Sequence, residues 1–304
     1  MSCFFPWKAF RHLGYKPGGD LPFLTTNPAN ALNRNHPITL PCNRCNGCIA
    51  DRQQEWGTRC VHEAKMHQHT TGNSFITLTL DDEHYPASGS LTKRDWQLFM
   101  KRLRREFPHK IRFFMCSEYG DQGRRAHFHA LLFGEDFRLD RKIWRTTKSG
   151  PVYRSATLEK VWPYGQSEIG TVTLASARYC AGYIQKKLYG ARHPVHYEHI
   201  HPVTGQPFKA EPEFALMSNK PGIGHAWFER YKSDAFPSDF LVVDGQQMAV
   251  PRYYLRKLNE KEQKPVKRAR ARERLANRDN NTTERLMVRA EVHDLRRSLK
   301  KRTL

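Results

Sequence analysis

The sequence predicts an α+β protein with a central antiparallel sheet flanked by helices. Residues 74–80 read S-F-I-T-L-T-L, an alternation of side chains that is typical of a half-buried strand. Residues 111–119 and 125–133 are two further apolar segments, and the turn sequence G-D-Q-G-R between them predicts a β-hairpin. Residues 93–107 repeat apolar side chains at helical spacing, which predicts a helix packed on the sheet.

The chain begins with an arm that ends in a cysteine motif. The first 41 residues are rich in Pro, Gly and Asn without a period, so we expect a mostly extended arm. The next motif, P-C-N-R-C-N-G-C, has the spacing of a zinc knuckle at Cys42, Cys45 and Cys48. The fourth ligand stays open among Cys60, His62 and His67, although Cys60 also fits the core face of a helix over residues 51–67. The alternative is a thiol-rich loop that caps this helix without a metal.

The helix over residues 93–107 has a distinct start and two distinct faces. Thr92 and Asp95 have the spacing of a capping box. The opposite side from the apolar stripe carries lysines and arginines, which form either an ordinary solvated face or part of a positive surface. The apolar stripe consists of Trp96, Phe99, Leu103 and Phe107.

The strand over residues 125–133 carries two histidines separated by one residue. Because successive side chains of a strand point to opposite faces, His127 and His129 share one face while Phe128 packs on the other. The two imidazoles then stand roughly 6 to 7 Å apart, twice the rise per residue, so both can reach one divalent cation. The alternative for such a pattern in an apolar strand is a pair of core or surface histidines.

The hairpin brings an acidic residue to the histidines. If the turn centres on residues 121–123, paired positions sum to about 244 or 245, so Glu118 lies opposite Ala126 or His127. One of these registers places the carboxylate on the histidine face. Two imidazoles and one carboxylate leave positions open for water and a phosphate oxygen, as a catalytic divalent site requires. The alternative for Glu118 is a solvent-exposed acid at a strand end.

Residues 136–170 show no clean period, and we expect a loop-rich crossing there. The aromatic residues of this segment either stack on nucleic-acid bases or belong to insertions on the sheet. They are Trp144, Tyr153, Trp162 and Tyr164.

The segment A-S-A-R-Y-C-A-G-Y-I-Q-K-K-L-Y-G predicts a helix with Ser176 as its N-cap and Gly190 just past its end. Its buried stripe comprises Ala177, Cys180, Ala181, Ile184 and Leu188. Its opposite side, away from the core, carries Tyr179, Tyr183, Lys186 and Lys187. Phenols beside lysines suit nucleophilic attack, because an ammonium group lowers the phenol pKa or balances charge on a phosphate. The alternative is an aromatic pair at a domain contact.

The C-terminal part is basic. A His-rich linker follows Gly190 without regular ligand spacing, which favours a loop over a metal site, and residues 240–243 predict a strand. From Arg256 to the end, 17 Lys or Arg stand against 7 Asp or Glu. We expect a basic amphipathic helix here that stays disordered until it meets DNA. Its apolar seam would be Val288, Val292, Leu295 and Leu299.

Composition limits the class of partner. The 304 residues allow two domains or one large domain with extensions. A net charge of +21 and a pI near 9.9 indicate a polyanionic partner, most often nucleic acid, or else simply a basic surface. No apolar run reaches the ~18 residues of a membrane helix and the start lacks a signal-peptide layout, so we expect a cytoplasmic protein without membrane contact. Seven cysteines, an odd number, favour reduced thiols.

Together these motifs resemble those of the HUH endonucleases, in which a His-hydrophobe-His strand binds a metal and a helical tyrosine attacks a phosphodiester. Their order agrees as well, with F-I-T-L-T-L first, then H-F-H, then Y-x-x-x-Y. More closely, the chain is similar to the replication initiators of gokushovirus-type microviruses. That similarity spans nearly the whole sequence through P-C-x-x-C-x-x-C, R-x-x-x-W, S-E-Y-G, Y-x-x-x-Y-x-x-K-K, P-G-I-G-x-x-W-F and P-R-Y-Y.

The resemblance implies a ferredoxin-like or RRM-like sheet and a rolling-circle initiator that nicks and rejoins single-stranded DNA at a viral origin. The link to DNA would be a 5′-phosphotyrosine on Tyr183 or Tyr179. Tyr183 ranks first because Lys186 follows it at the Tyr-x-x-Lys spacing. The implied Mg²⁺ or Mn²⁺ ligands are His127, His129 and Glu118.

The resemblance also implies single-stranded DNA and the host replication machinery as partners. No G-x-x-x-x-G-K-[ST] phosphate loop occurs, so we expect a host helicase to separate the strands. The residues predicted to bind DNA are Arg124, Arg125, Lys187, Arg268, Arg270 and Arg272.

Four segments are predicted: an arm with knuckle and helix (1–72), an HUH endonuclease domain (73–190), a C-terminal extension (191–258) and a basic tail (259–304). A function from another class stays open. It is a non-catalytic zinc-knuckle protein that binds or packages single-stranded nucleic acid.

Overall fold

A computed structural model describes residues 3–15, 22–120, 125–190 and 197–299, with the backbone alone at residues 15, 22–23 and 183–190. The chain divides into two compact units. The terminal unit combines the described residues up to Arg52 with those from Lys267 onward, and the sheet unit comprises Gln53–Val266. These units cut across the four predicted segments, whose boundaries stay predictions.

Strands and helices are interspersed along the chain, and three consecutive helices come last among the described elements. Within the residues that the structure describes, no helix is both long and apolar enough to span a membrane. The order is β1 (Trp7–Tyr15), β2 (Pro22–Thr25), β3 (Ile38–Leu40), α1 (Asn46–His67), β4 (Asn73–Leu80), α2 (Lys93–Glu106), β5 (Arg112–Tyr119), β6 (Ala126–Phe133), β7 (Lys142–Thr147), β8 (Gly150–Arg154), α3 (Ala156–Val161), β9 (Gly165–Gly170), α4 (Leu174–Gly190), β10 (Glu198–Ile200), β11 (Pro207–Lys209), β12 (Ala215–Met217), α5 (His225–Ala235), β13 (Phe240–Val243), β14 (Gln246–Ala249), α6 (Arg252–Lys257), α7 (Glu260–Ala276) and α8 (Thr283–Ser298).

The sheet unit is built on a seven-stranded sheet in the order β12-β5-β6-β4-β9-β8-β7. All neighbouring strands pair antiparallel, which confirms the predicted α+β class with an antiparallel sheet flanked by helices. The β5–β6 hairpin pairs Glu118 with His127, one of the two registers that the turn predicts. This register puts the carboxylate and the histidines on one face.

Helices cover both faces of this sheet. On one face, α2 and α3 bury Trp96 and Trp162 against alternate strand side chains, among them Phe128. On the other face, α1 and α4 pack on Leu131 and its neighbours, and Cys60 of α1 is fully buried there. Cys60 is therefore a core residue, as the helical spacing allows. The histidine side of β6 belongs to this second face.

The starts of helices α2 and α4 can be compared with the two N-terminal caps that the sequence predicts. The capping box of α2 is confirmed, since the Asp95 carboxylate accepts the N–H of Thr92 and Thr92 Oγ1 accepts the N–H of Asp95. The predicted N-cap Ser176 is wrong. Helix α4 begins at Leu174, and Thr173 caps it through reciprocal hydrogen bonds with Ser176, the geometry of a capping box. Gly190 is the last helical residue rather than the first beyond the helix.

The expectation of a loop-rich crossing over residues 136–170 is wrong. The segment forms β7, β8, α3 and β9, and β9 pairs with β4 inside the sheet. At Gly165, which has φ +141°, a Cβ would lie 2.4 Å from the carbonyl oxygen of Thr79, so only glycine lets β9 start this close to β4. Trp162 is buried in the core, whereas Trp144 is exposed. The sequence shows no alternation of apolar and polar side chains in these strands, because β7 is exposed along almost its whole length and β9 is polar.

In the terminal unit, the expected extended arm forms a three-stranded sheet in the order β2-β1-β3. The basic tail forms helices α7 and α8, as the sequence predicts, and its disorder before DNA binding stays a prediction. Helix α8 buries Leu286 and Ala290, and Asn46 at the start of α1 contacts Asp294 and Arg297. The predicted apolar seam lies on the opposite, exposed side of α8 and consists of Val288, Val292, Leu295 and Leu299.

A second core of the sheet unit lies around Tyr254 of α6, with α5, β13 and β14; the strand over residues 240–243 is confirmed. His62 stacks on Trp227 at 3.6 Å between ring centroids and shares a hydrogen bond of 2.9 Å with the Tyr254 hydroxyl. Burial lowers the pKa of His62 to about 3. A ring held this way packs in the core, and His62 does not complete the cysteine motif.

His199 and His201 of the His-rich linker are also buried, and neither belongs to a possible metal group among the described residues.

Candidate metal and nucleophile site

The candidate site lies where the β5–β6 hairpin meets helix α4. Glu118 of β5 pairs directly with His127 of β6, and His129 follows two residues later on the same face. Because side chains alternate along a strand, Phe128 between the histidines points into the opposite core. Strand alternation and hairpin register together therefore bring the three predicted metal ligands to one place.

The ligand atoms of this group are close enough for one ion. The Nε2 atoms of His127 and His129 are 3.0 Å apart, and Glu118 Oε2 lies 3.6 and 3.3 Å from them. Two neighbouring ligands of an octahedral ion with bonds of ~2.1 Å stand about 3 Å apart. The three atoms thus fit three adjacent positions around one divalent cation, which leaves other positions open. The imidazoles are closer together than the 6 to 7 Å expected from strand geometry.

Each imidazole is oriented by a second group. His127 Nδ1 lies 3.0 Å from the carbonyl oxygen of Arg125, which can only accept a hydrogen bond. Neutral His127 therefore carries its proton on Nδ1 and presents a lone pair on Nε2 to the centre of the site. His129 Nδ1 lies 3.0 Å from Thr77 Oγ1 on the neighbouring strand β4, and Phe75 stacks on its ring. Such contacts are typical of histidines that bind metals.

Burial sets the electrostatics of the site. Glu118 is 3% exposed and His129 is 8% exposed. Burial lowers the pKa of His129, although its hydrogen bond to Glu118 opposes the shift, and this direction favours the neutral imidazole that a cation requires. A buried carboxylate requires compensation by hydrogen bonds or a positive charge. A divalent cation beside Glu118 would supply that charge.

Tyr179 of α4 lies over the ligand atoms. Its hydroxyl donates a hydrogen bond of 2.8 Å to Glu118 Oε2 and lies 3.5 Å from His129 Nε2. Its ring meets the ring of His129 edge-on at 5.1 Å. Helix α4 is fixed in this position because Cys180 and Ala181 pack on the sheet. The expectation that Tyr179 points away from the core is therefore wrong, since its half-buried ring closes the site.

Several predicted residues are not brought to this group. Arg125 donates a hydrogen bond of 2.7 Å to the carbonyl oxygen of Leu80 and pairs with Asp82, so its guanidinium contacts the protein itself. In α7, Arg268 and Arg272 are exposed and Arg270 is half-buried. Their binding to DNA stays a prediction. The predictions that fall outside the described residues or side chains are those for Arg124, Tyr183, Lys186 and Lys187.

Sequence reasoning missed two contributors. Thr77 belongs to the predicted strand over residues 74–80, but nothing in the sequence reveals that this strand lies beside the histidine strand, where Thr77 pairs with His129. Cys3 was missed because it lies 39 positions before Cys42, with which it forms a group of thiols. The first eight residues of the chain contain a single cysteine, a signal that could have been added to the knuckle.

Comparison with known proteins gives a consistent result. Residues 73–188 match a family model of replication-associated proteins, described under the name ORF2. The chain is 32% identical over 265 residues to the replication-associated protein VP4 of Bdellovibrio phage phiMH2K, covering 84% of this chain and 76% of that protein. It is 29% identical over 241 residues to the replication-associated protein ORF2 of Spiroplasma virus 4, covering 75% and 70%.

A third similar protein is the replication-associated protein ORF4 of Chlamydia phage 1, which is 27% identical over 233 residues, covering 72% of this chain and 54% of that protein. No solved structure matches the chain. The matched residues 73–188 include every residue of the candidate site.

Proposed function

The chain belongs to the family of replication-associated proteins of microviruses, and we propose that it initiates rolling-circle replication by nicking and rejoining single-stranded DNA. The chemistry proposed is metal-dependent attack by a tyrosine, which leaves a 5′-phosphotyrosine link. One observation carries the proposal. The phenol oxygen of Tyr179 lies 2.8 Å from Glu118 Oε2, in a group of three atoms suited to bind one divalent ion.

His127, His129 and Glu118 would hold Mg²⁺ or Mn²⁺. Two imidazole nitrogens and one carboxylate oxygen form a donor set that binds a divalent ion while leaving positions for substrate. When bound, the ion supplies Lewis-acid polarisation of the scissile phosphate. The protein orients these ligands through the Arg125 carbonyl and the Thr77 hydroxyl.

In the proposed step, Tyr179 Oη attacks the phosphorus of a phosphodiester. The bond from phosphorus to the tyrosine oxygen forms, the bond to the 3′ oxygen breaks, and the released 3′-hydroxyl ends with a proton. A phenol has a reference pKa of about 10, so attack requires an acceptor for its proton. Because Glu118 Oε2, which accepts the hydrogen bond of this phenol, is also the oxygen that would hold the ion, we assign the proton to solvent water. One phosphoester replaces another, so the step needs no ATP.

The second tyrosine of Y-x-x-x-Y allows a second transesterification. One phenol opens the strand, and the other cleaves the regenerated origin while the first 3′-hydroxyl reseals the released circle. We assign the first cleavage to Tyr179, because its phenol lies beside the ligand atoms. The sequence favours Tyr183 through Lys186, but those side chains lie outside the part of the chain that the structure describes.

Single-stranded DNA carrying the viral origin is the proposed substrate, and the excess of lysine and arginine supports binding to its phosphates. Strand separation is assigned to a host helicase, since the sequence contains no phosphate loop of its own. The competing proposal is a non-catalytic nucleic-acid binding protein. It predicts normal DNA binding and no chemistry, whichever tyrosine is changed.

The test is formation of a covalent adduct between the purified chain and labelled single-stranded origin DNA with Mn²⁺. We expect an adduct that survives denaturation, and its loss in the double variant Tyr179→Phe/Tyr183→Phe. Tyr153→Phe, which changes a half-buried tyrosine of β8, is the matched control and should keep the adduct. A double variant that still forms the adduct, or a wild-type chain that binds DNA without forming one, would overturn the proposal.

A further inference from the structure

Four thiols come together in the terminal unit, independently of the candidate nicking site. The sulfur atoms of Cys3, Cys42, Cys45 and Cys48 all lie within 4.8 Å of one another, and none of these cysteines is in a disulfide. We propose that these four thiolates bind one structural zinc ion and that Cys3 is the fourth ligand of the knuckle. The sequence motif alone supplies only three of the four.

The distances fit a single tetrahedral ion. Cys42 Sγ lies 3.9 Å from Cys48 Sγ, and Cys45 Sγ lies 4.0 Å from Cys3 Sγ. In a tetrahedral site with Zn–S bonds of ~2.3 Å, neighbouring sulfur atoms stand about 3.8 Å apart. Thiolate ligands select zinc over magnesium or calcium, which prefer oxygen. Four protein ligands leave no position for substrate, so the site is structural rather than catalytic.

Backbone amides point at these sulfur atoms. The N–H of Cys42 donates to Cys3 Sγ at 3.2 Å, and the N–H of Phe4 donates to Cys45 Sγ at 3.3 Å. The N–H groups of Arg44 and Cys45 donate to Cys42 Sγ at 3.5 and 3.3 Å. A neutral thiol is a weak acceptor, whereas a thiolate that binds a metal is stabilised by such donors. The knuckle therefore already has the backbone N–H donors that stabilise the thiolate ligands of a metal ion.

The acidities of the thiols agree with this arrangement. Burial raises the pKa of Cys3 and of Cys48. For Cys45, burial is outweighed by hydrogen bonds with the backbone of Phe4 and Cys48, which lower its pKa to about 7. A bound zinc ion deprotonates its thiol ligands and supplies the missing positive charge.

The small sheet explains why Cys3 reaches the knuckle. Strands β1 and β3 pair antiparallel with Trp7 opposite Leu40, and extending this register places residue 3 opposite residue 44. Cys3 therefore arrives between Cys42 and Cys45. The other thiol, Cys48, lies in the first turn of α1. Strand pairing and the helix start thus bring together residues that are 39 or more positions apart in sequence.

A metal would serve a unit that has little core of its own. Besides the thiols, the described part of the terminal unit buries few apolar side chains, and half of them are alanines. They are Phe4, Ala9, Phe10, Ala31, Leu286 and Ala290. A bound metal would stabilise a unit that has so small an apolar core. We infer that zinc holds the knuckle and the first strand together as one folded unit.

The test is the metal content and cobalt spectrum of the full chain, purified with reducing agent. We expect one zinc per chain at the cysteines, and intense thiolate-to-cobalt absorption when Co²⁺ replaces it. The histidine site contains no sulfur and cannot give that absorption, so failure of the nicking proposal would leave this result unchanged. Cys3→Ala and Cys45→Ala should each lose the absorption. Cys180→Ala, at a buried thiol of the sheet unit, is the matched control and should keep it.

The wild-type spectrum alone can contradict the proposal, so the test remains decisive even if one of the variants fails to fold. A wild-type chain without thiolate absorption, or Cys3→Ala with the full wild-type spectrum, would overturn the proposal. So would disulfides linking these cysteines in the reduced preparation. Tryptic cleavage at Arg34 and Arg44, both exposed in the terminal unit, gives a second readout. It should become several-fold faster when a chelator removes the zinc.

Discussion

The histidine site of the sheet unit and the thiol group of the terminal unit begin from equally short sequence motifs but differ in what surrounds them. Among the described residues, H-x-H on a strand is joined by one candidate ligand from the adjacent strand, which makes three. C-x-x-C-x-x-C in a turn gathers a fourth from the start of the chain. Three ligands leave room for a substrate, whereas four exclude it. On the proposed assignments, the number of ligands that the fold delivers, rather than the motif, separates a reactive centre from a structural one.

The two sites also hold their ligands by different means. The histidines are oriented by a carbonyl and a hydroxyl, which are groups that accept or share the Nδ1 proton. The thiols receive backbone N–H groups, which stabilise negative sulfur. The first arrangement suits neutral imidazoles around a replaceable ion, and the second suits a permanently bound zinc ion.

The largest effect is expected from His129→Ala. A metal contributes several kcal/mol to the stabilisation of a phosphoryl transition state, so nicking should fall by ~10³-fold or more. Affinity for DNA should change little, because it depends on many phosphate contacts. The thiolate–cobalt absorption of the terminal unit should be unchanged.

The readouts for this variant are gel nicking assays with Mn²⁺ and fluorescence anisotropy with an origin oligonucleotide. His69→Ala, in the exposed turn after α1, is the control and should behave as wild type. Full Mn²⁺-dependent nicking by His129→Ala would remove this histidine from the metal site.

A smaller effect is expected from Thr77→Val, which removes the hydroxyl beside His129 Nδ1 and keeps the shape of the side chain. Loss of such an outer contact typically costs 10- to 100-fold in metal affinity or activity. The Mn²⁺ concentration for half-maximal nicking should rise accordingly, and saturating Mn²⁺ should restore much of the rate. Thr79→Val, on the same face of β4, is the control. If the two variants show the same metal dependence, Thr77 has no positioning role.

Lowering the pH should test the assignment of the buried His62 to the core rather than to a metal site. The pKa of His62 falls from 6.5 to about 3 on burial, so between these values the unfolded chain binds a proton that the folded chain does not. Stability is therefore retained above pH 6.5 and decreases as the pH falls below it, by about 2 kcal/mol at pH 5. Urea unfolding at pH 7 and pH 5 measures this loss. His62→Gln should reduce the difference between the two pH values, and an equal difference in the variant would contradict the assignment.

The smallest effect is expected in the exposed basic residues of α7. The double variant Arg268→Gln/Arg272→Gln should weaken DNA binding a few-fold and flatten its salt dependence, by about 0.7 in the slope of log K against log salt for each lost contact. Arg138→Gln is the control, since that guanidinium is already bound to Asp136 at 2.9 Å. Anisotropy titrations at several salt concentrations give the slope. An unchanged slope would mean that α7 does not contact DNA.

The parts that the sequence predicts well are those governed by local periodicity. The turn of the β5–β6 hairpin limits the partner of Glu118 to Ala126 or His127, and the structure has His127. The side of α4 that faces the sheet also follows from spacing, since Ala177 and Cys180 are buried. The position of the Tyr179 side chain could not be predicted from the sequence, because helical spacing does not show that the edge of α4 lies over a site on the sheet.

Non-local pairing explains the other failures. Residues 136–170 form strands without an alternating pattern, because an exposed hairpin and a polar strand bury too little apolar surface to show one. Cys3 is assigned to the knuckle only once β1 is paired with β3. In α8 the apolar seam lies on the exposed side, while Leu286 and Ala290 are buried instead. Local patterns thus identify elements, but not which distant elements meet.

The most direct test of the account is to identify the residue that carries the nucleotide. Wild-type chain is trapped on labelled single-stranded origin DNA with Mn²⁺ and digested, and the nucleotide-linked peptide is sequenced by mass spectrometry. We expect the first covalent product on Tyr179, at the oxygen that lies 2.8 Å from Glu118. Tyr183 should be labelled in the second step only. A nucleotide on any residue other than these two tyrosines, or cleaved DNA without a linked peptide, would contradict tyrosine-mediated nicking.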